Sequence, residues 1–163
     1  MGSSCAHDHE HKTGLHGAAL GAEIAAAEAI CVRRDQKLTA PRRRVLELLL
    51  EAGQPVKAYD LMAAYEPGAP AKPPTVYRAL EFLEREGFAH RIESLNAFVA
   101  CRHPLQEGRA HAAAFLICDC CGATREIEPE IGGTLAAQAG AAGYDIKALT
   151  VEAHGLCQDC RSI

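Results

Sequence analysis

Hydrophobic residues recur at helical spacing through the first half of the chain, with polar residues between them. Thr39 is a good N-cap, Pro41 suits the first turn of the helix that follows, and Gly53 is typical of a helix end. A dense run of Pro and Gly separates the third helix from the fourth. The predicted helices lie at 17–35, between Thr39 and Gly53, at 58–65 and at 75–86.

After the fourth helix the pattern changes to alternating segments. Residues 88–92 and 97–101 flank Ser94-Leu95-Asn96 and together predict a β-hairpin. Three helices followed by a hairpin are the pattern of a winged helix-turn-helix, in which the helix ahead of the hairpin reads DNA bases through its N-terminal residues. In this chain those residues are Thr75, Val76, Tyr77 and Arg78.

Two CxxC pairs, Cys118–Cys121 and Cys157–Cys160, bracket most of the second half of the chain. Four thiolates at this spacing can close a tetrahedral shell around one Zn²⁺, with Zn–S distances of about 2.3 Å. A closed shell has no open position, so we expect this zinc to hold the fold together and to do no chemistry. Cys120 is an additional thiol inside the first pair.

The segment between and before these cysteines predicts a small mixed unit. A three-stranded sheet with one helix buries little surface, and bound zinc and pairing with a second copy would both compensate. A link at 102–110, which contains Pro and Gly, precedes the unit. The predicted strands lie at 113–117, 124–127 and 144–153, and the predicted helix at 131–142.

The composition indicates a globular protein that binds metal. Hydrophobic residues make up 48% of the 163 residues and charged residues 23%. Eight cysteines in a chain whose first residues do not resemble a signal peptide favour metal binding over disulfides. No apolar run approaches the roughly 20 residues of a membrane span. We therefore expect a cytoplasmic protein that does not contact a membrane.

The net charge of −4 does not by itself suggest a nucleic-acid partner. Residues 1–91 carry equal numbers of basic and acidic side chains, so the excess acid lies in 92–163. Basic residues are nevertheless concentrated between Arg33 and Arg44, with Asp35 as the one acid among them. This patch either contacts phosphates or is a solvated helix face.

Five stretches together resemble the ferric-uptake-regulator family, and within it the zinc-uptake regulator branch. Iron regulators of the family typically carry a His-His-Asp-His run before the first CxxC. The matching place here reads His111-Ala112-Ala113-Ala114, and a soft thiol, Cys101, occurs upstream. The resemblance covers roughly residues 20–160. The stretches are AYDL at 58–61, KPPTVYRAL at 72–80, GFAHRIES at 87–94, FLICDCCG at 115–122 and EAHGLCQDC at 152–160.

The fold class expected from these features is α+β. An N-terminal winged helix-turn-helix precedes a small α/β dimerisation domain that is clasped by the four-cysteine zinc site. The expected parts are a flexible His-rich tail at 1–16, a DNA-binding domain at 17–101, a hinge at 102–110 and a dimerisation and zinc-binding domain at 111–163. The tail histidines, His7, His9, His11 and His16, either capture metal weakly or are solvated.

The resemblance also implies a regulatory zinc site made of two histidines, one cysteine and one glutamate. In this chain these are His90, Cys101, His111 and Glu126. The mixed donor set suits tetrahedral zinc. The first two lie on the arms of the predicted hairpin and the others at the edge of the second domain, so a zinc held by all four would join the domains. Singly, each has an ordinary alternative: an exposed histidine, a buried thiol or a solvent-facing carboxylate.

Members of the family are dimers that approach DNA through the equivalents of Tyr59 and Arg78, which implies an inverted-repeat operator. Arginine can bond guanine O6 and N7 together, and Lys72 and Arg42 suit contacts with phosphates. Tyr77 suits either a DNA contact or core packing. The expected DNA-binding residues are Tyr59, Lys72, Thr75, Tyr77 and Arg78.

The function these features favour is a zinc-responsive transcriptional repressor of zinc-uptake genes. It would be a homodimer and not an enzyme, with one structural and at least one regulatory Zn²⁺ per chain and no small-molecule substrate. A regulator of the same fold that senses iron, manganese or peroxide is the first alternative. A thiol redox enzyme and a hydrolytic zinc enzyme are alternatives from another class. His103 is an alternative ligand beside Cys101, and His154 is assigned no metal.

Overall fold

The computed structural model describes residues 14–66, 71–101, 111–127, 129, 131–146 and 148–161. The described residues fall into two compact units, an N-terminal unit within 12–104 and a C-terminal unit within 105–163. The predicted hinge at 102–110 and its His103 lie outside the described residues, and so does the tail up to residue 13. Among the residues that the structure describes, none of the helices combines the length and the hydropathy of a membrane span.

Four helices build most of the N-terminal unit, as the sequence predicts. The first ends two residues earlier than expected because Asp35 adopts a left-handed conformation, with φ of 53°. The fourth begins two residues earlier, at Pro73, since a proline at the first helical position gives up an N–H that has no partner in the helix. The helices are α1 (Gly17–Arg33), α2 (Ala40–Ala52), α3 (Ala58–Ala64) and α4 (Pro73–Arg85).

The core of this unit lies between the helices and the hairpin that follows them, and it consists mainly of aliphatic residues and three phenylalanine rings, Phe82, Phe88 and Phe98. Cys31 belongs to this core and is 1% exposed, so its role is that of a small apolar residue. Gly53 ends α2 in the left-handed conformation, with φ of 60°, as predicted. The largest fully buried core side chains are Phe82, Ile24, Leu49, Leu61, Leu80, Leu83, Val45 and Val76.

The predicted hairpin follows α4 and forms the wing. Strand β1 (Ala89–Ile92) pairs antiparallel with β2 (Ala97–Ala100), and Asn96 makes the turn with φ of 46°. Val56, in the connector after α2, exchanges two backbone hydrogen bonds of 2.8 Å with Phe98. The outer strand of the wing is therefore tied to the helical part of the same unit.

The C-terminal unit is a three-stranded sheet with one longer and one short helix. Its strand order is β4-β3-β5, with β3 antiparallel to β4 and parallel to β5. The short helix α6, which carries the second half of the last CxxC pair, was not predicted from the sequence. The elements are β3 (His111–Cys118), β4 (Thr124–Ile127), α5 (Ile131–Ala141), β5 (Ala148–Gly155) and α6 (Gln158–Arg161).

The expectation of a strand from residue 144 is wrong at its start, because the cap of α5 occupies this part of the chain. Tyr144 N–H donates to Ala139 O at 2.8 Å and Gly143 N–H donates to Gly140 O at 3.0 Å. With Gly143 at φ of 81°, this is the Schellman arrangement, which ends a helix through a left-handed glycine. The strand consequently begins at Ala148.

Candidate metal centres and nucleic-acid interface

The four cysteines of the two CxxC pairs come together in the C-terminal unit. The Sγ atoms of Cys118, Cys121, Cys157 and Cys160 all lie within 4.8 Å of one another. The Sγ atoms of Cys121 and Cys157 are 3.8 Å apart. A tetrahedron with Zn–S bonds of about 2.3 Å has edges of about 3.8 Å, so the spacing fits a four-thiolate zinc site.

Backbone hydrogen bonds between β3 and β5 set up this arrangement. Cys118 ends β3 opposite Gly155 of β5, and Asp119 N–H donates to Gly155 O at 2.8 Å. The turn after β3 closes through Gly122, whose φ of 74° favours glycine and whose N–H donates to Cys118 O at 2.9 Å. The parallel pairing therefore carries both CxxC pairs to the same end of the sheet.

The thiols of this cluster have different acidities. Backbone N–H groups of Cys121 and Cys157 point at the Cys118 sulfur and lower its pKa to about 6, against burial, which raises it. Cys157 N–H lies 3.3 Å from this sulfur. Burial raises the pKa of Cys160. Cys118 is therefore the thiol best prepared to offer a thiolate at neutral pH, which is the form that binds metal.

His90 and Cys101 lie together on the wing. His90 pairs with Val99, and Cys101 N–H continues the ladder by donating to Phe88 O at 2.9 Å. Because residues two apart in a strand share a face, the two side chains are diagonal neighbours on one face of the hairpin. A ring nitrogen of His90 and the Cys101 Sγ lie within 4.8 Å of each other. Both side chains are buried, His90 with 8% exposure.

The other two residues of the expected regulatory site lie in the C-terminal unit. Glu126 is half-buried on β4, with its Cα opposite that of Phe115 on β3. His111 begins β3, with its Cα opposite that of Ala148. The four-residue ligand set as a whole stays a prediction.

The N-terminal end of α4 presents the polar side chains expected to read DNA. Lys72 and Arg78 are exposed, and Thr75 is half-buried. Tyr77 is 53% exposed, so the alternative that it packs into the core is wrong. Tyr59 on α3 is 77% exposed. The apolar face of α4 packs into the core, on the side away from these polar side chains of α4. Its buried residues are Val76, Ala79, Leu80, Phe82 and Leu83.

The basic patch between Arg33 and Arg44 is largely occupied within the protein. Arg43 contacts Glu47 at 2.9 Å and Glu28 at 3.0 Å. Arg44 donates to Tyr65 O at 2.9 Å and pairs with Glu47 at 3.4 Å. The simple reading of this patch as a phosphate-binding surface therefore does not fit these two arginines.

One contact beside the four cysteines was not predicted from the sequence. The His154 Nδ1 on β5 lies 2.9 Å from Asp119 Oδ1, which follows Cys118 in the first CxxC pair. His154 Nε2 lies 4.0 Å from Glu152 on the same strand. This hydrogen bond links β5 to the first CxxC turn through side chains. The sequence offers no signal for it, since the partners are 35 residues apart.

Comparison with known proteins decides the family. The Ferric uptake regulator family model matches residues 33–154. The chain belongs to this family. It is 44% identical over 142 residues to the zinc uptake regulation protein of Escherichia coli K12, covering 84% of this chain and 80% of that protein. The protein of the same name from Shigella flexneri matches with the same identity and coverage.

Solved structures to which the chain is similar belong to the same family. Holo XcZur is 44% identical with a TM-score of 0.74, covering 87% of this chain and 99% of that chain. A zinc uptake regulator complexed with zinc and DNA is 39% identical with a TM-score of 0.77, covering 90% of this chain and 97% of that chain. The resemblance stated from the sequence motifs is thus confirmed, as is the α+β fold class with a winged helix-turn-helix.

Proposed function

We propose that the protein is a zinc-responsive transcriptional repressor, which binds operator DNA as a homodimer when its regulatory zinc site is filled. The observation that carries this proposal is the pair His90 and Cys101. Two zinc-type donors lie within 4.8 Å of each other on the wing that directly follows the DNA-reading helix α4. The similarity to a zinc uptake regulator solved with zinc and DNA supports it.

A structural zinc is assigned to Cys118, Cys121, Cys157 and Cys160. The cluster geometry and the low pKa of Cys118 support this assignment. Four thiolates complete the coordination shell, which leaves zinc no position for water or substrate. This closed shell supports a scaffold role and a protein that is not an enzyme. The cytoplasm keeps such thiols reduced and is the compartment we propose.

The regulatory zinc is assigned to His90, Cys101, His111 and Glu126. Two nitrogens, one sulfur and one oxygen form a donor set that suits tetrahedral zinc better than iron or manganese. Zinc supplies a cross-link among these ligands when bound. The ligands lie in two units that the chain connects through 102–110, so filling the site would favour one arrangement of the units over others.

On the DNA side, Tyr59, Thr75, Tyr77 and Arg78 are proposed to approach the major groove, with Lys72 on a phosphate. The exposure of Tyr59, Lys72, Tyr77 and Arg78, and the partial exposure of Thr75 at the start of α4, support these roles. A homodimer with two such faces would read an inverted repeat. The genes proposed to be repressed are those for zinc uptake, in line with the name of the Escherichia coli relative.

The test is DNA binding measured against free metal. The zinc-loaded full chain is used to enrich duplexes from a random-sequence library, and the affinity for the enriched duplex is then titrated against free Zn²⁺, Fe²⁺ and Mn²⁺. Bound metal is counted per chain. Zinc-dependent binding with a second zinc per chain supports the proposal. Binding that ignores zinc, or that follows iron or manganese instead, overturns it in favour of another regulator of the family.

A further inference from the structure

The DNA-reading helix α4 is held at its far end by two arginines that belong to other parts of the N-terminal unit. Arg42 comes from the first turn of α2, and Arg34 follows α1. Their contacts are with Phe82 in the last turns of α4 and with Glu86 just after it. These contacts of the two arginines are thus at the C-terminal end of α4, whereas Thr75 lies near its N-terminal end.

The Arg42 guanidinium lies over the face of a buried ring. Its Cζ is 3.6 Å from the centroid of the Phe82 ring, well within the roughly 6 Å range of a cation–π contact. Its Nη1 also donates to Lys37 O at 2.6 Å. The side chain is half-buried. Both its face and one of its N–H groups are therefore used inside the protein.

The Arg34 side chain contacts the same end of α4 through a backbone carbonyl that follows the helix. Its Nη1 donates to Glu86 O at 3.0 Å and lies 3.8 Å from the Glu86 carboxylate. Carbonyls at the C-terminal end of a helix have no partner within the helix, so an arginine from outside is a natural donor. This contact joins the end of α1 to the end of α4.

We propose that Arg42 and Arg34 are positioning residues for DNA recognition, an inference that rests on the proposed function. They fix the direction of α4 relative to α2 and α1. Thr75 lies about 10 Å along the helix from Phe82, at 1.5 Å per residue, so a small tilt at the held end displaces the side chains that reach the bases. Arg42 thus acts through Phe82 and not through a phosphate.

The salt dependence of DNA binding separates positioning from phosphate contact. The slope of log K against log salt concentration is negative, and losing one phosphate contact reduces its magnitude by about 0.9. Losing a positioning contact weakens binding at every salt concentration and leaves the slope unchanged. Replacement by lysine adds a second distinction, because lysine keeps the charge but lacks the planar group that stacks on the ring.

The experiment uses the zinc-loaded full chain and a duplex enriched from a random-sequence library. The variants are Arg42→Lys, Arg42→Met and Arg34→Gln, each studied well below its own midpoint of thermal unfolding and with its zinc content checked. Two controls are matched to them. Arg85→Met removes a second arginine from the Phe82 ring, 5.3 Å away, but this arginine is itself part of α4. Lys72→Ala removes a proposed phosphate contact.

Arg42→Lys and Arg42→Met are both expected to weaken DNA binding by roughly five- to tenfold with the wild-type salt slope. Arg34→Gln follows the same pattern and Arg85→Met binds like the wild type. Lys72→Ala reduces the magnitude of the slope by about 0.9. Wild-type DNA affinity in Arg42→Lys, or a salt slope of smaller magnitude in Arg42→Met, overturns the positioning role. Either result leaves the proposed function as a repressor unaffected. A wild-type protein that enriches no DNA overturns the proposed function, and the positioning role with it.

Discussion

Cys31 and Cys101 are two buried cysteines of the N-terminal unit with different surroundings. Cys31 lies among the apolar side chains of the core, where burial raises the pKa of its thiol. Cys101 has a ring nitrogen of His90 within 4.8 Å. His90 is also the one polar or charged side chain that is buried among the residues the structure describes. One cysteine thus has the environment of a packing residue, and the other lies beside a second zinc-type donor, as the proposed ligand role requires.

A pair of equal substitutions tests this distinction. Cys101→Ala is expected to lower bound zinc from two to one per chain and to weaken zinc-dependent DNA binding at least a hundredfold. Loss of an outer-shell partner of a metal ligand lowers metal affinity or activity roughly 10- to 100-fold, and loss of the ligand itself should cost more. Metal analysis and fluorescence anisotropy on an enriched duplex measure both effects.

Cys31→Ala is the control. It should keep two zinc ions and wild-type DNA affinity, with a loss of about 1 kcal/mol in the free energy of unfolding from the small cavity. If Cys101→Ala retains both zinc ions and normal affinity, the assignment of Cys101 is wrong.

Elements with strong end signals were predictable from the sequence, and contacts between elements were not. Helix α2 has Pro41 in its first turn and the left-handed Gly53 at its end, both visible as residue types. Arg43 and Arg44 have a partner in Glu47 within the same helix, but Arg34 and its partner Glu86 are 52 residues apart. No local pattern shows such a pairing. Strand β5 begins later than the sequence predicts because Gly143 caps α5 in the left-handed conformation.

Gly140 inside α5 and Gly143 in its C-terminal cap allow a test of the helix end. Gly143→Ala should lower the free energy of unfolding by about 1 kcal/mol, because an L-residue is strained at its φ of 81° and the space around it is open. Gly140→Ala, inside the helix and equally open, should instead raise it by roughly 0.5–1 kcal/mol. Thermal unfolding of the zinc-loaded variants compares the two. Equal effects of the same sign would refute the cap.

The two units of the molecule are stabilised by different means. The large hydrophobic cluster lies wholly in the N-terminal unit, between α1 and the wing. The buried residues of the C-terminal unit are fewer among those described, and two of them are zinc-type cysteines. The sequence indicated this difference through the two CxxC pairs. The regulatory ligands lie far apart in sequence and form no local motif, so their identity is predicted only through the resemblance to the family.

Removal of the structural zinc should therefore affect the units unequally. Cys118→Ser is expected to unfold the C-terminal unit, since structural zinc contributes on the order of 10 kcal/mol to the folding of small domains. Hydrogen exchange should then show lost protection at 111–161 and retained protection in α1–α4. Cys101→Ala, which leaves the four-cysteine set intact, should keep protection in both units. Uniform loss across the chain after Cys118→Ser would contradict this division.

The two backbone hydrogen bonds between Val56 and Phe98 have a mechanical consequence. They attach the outer strand of the hairpin to the connector between α2 and α3, so the hairpin is held to the helices at both of its strands. We expect a displacement of His90 or Cys101 to be passed to this connector through β2. We therefore expect a sensor built on this hairpin to move α4 together with the α2–α3 connector, and not the hairpin alone.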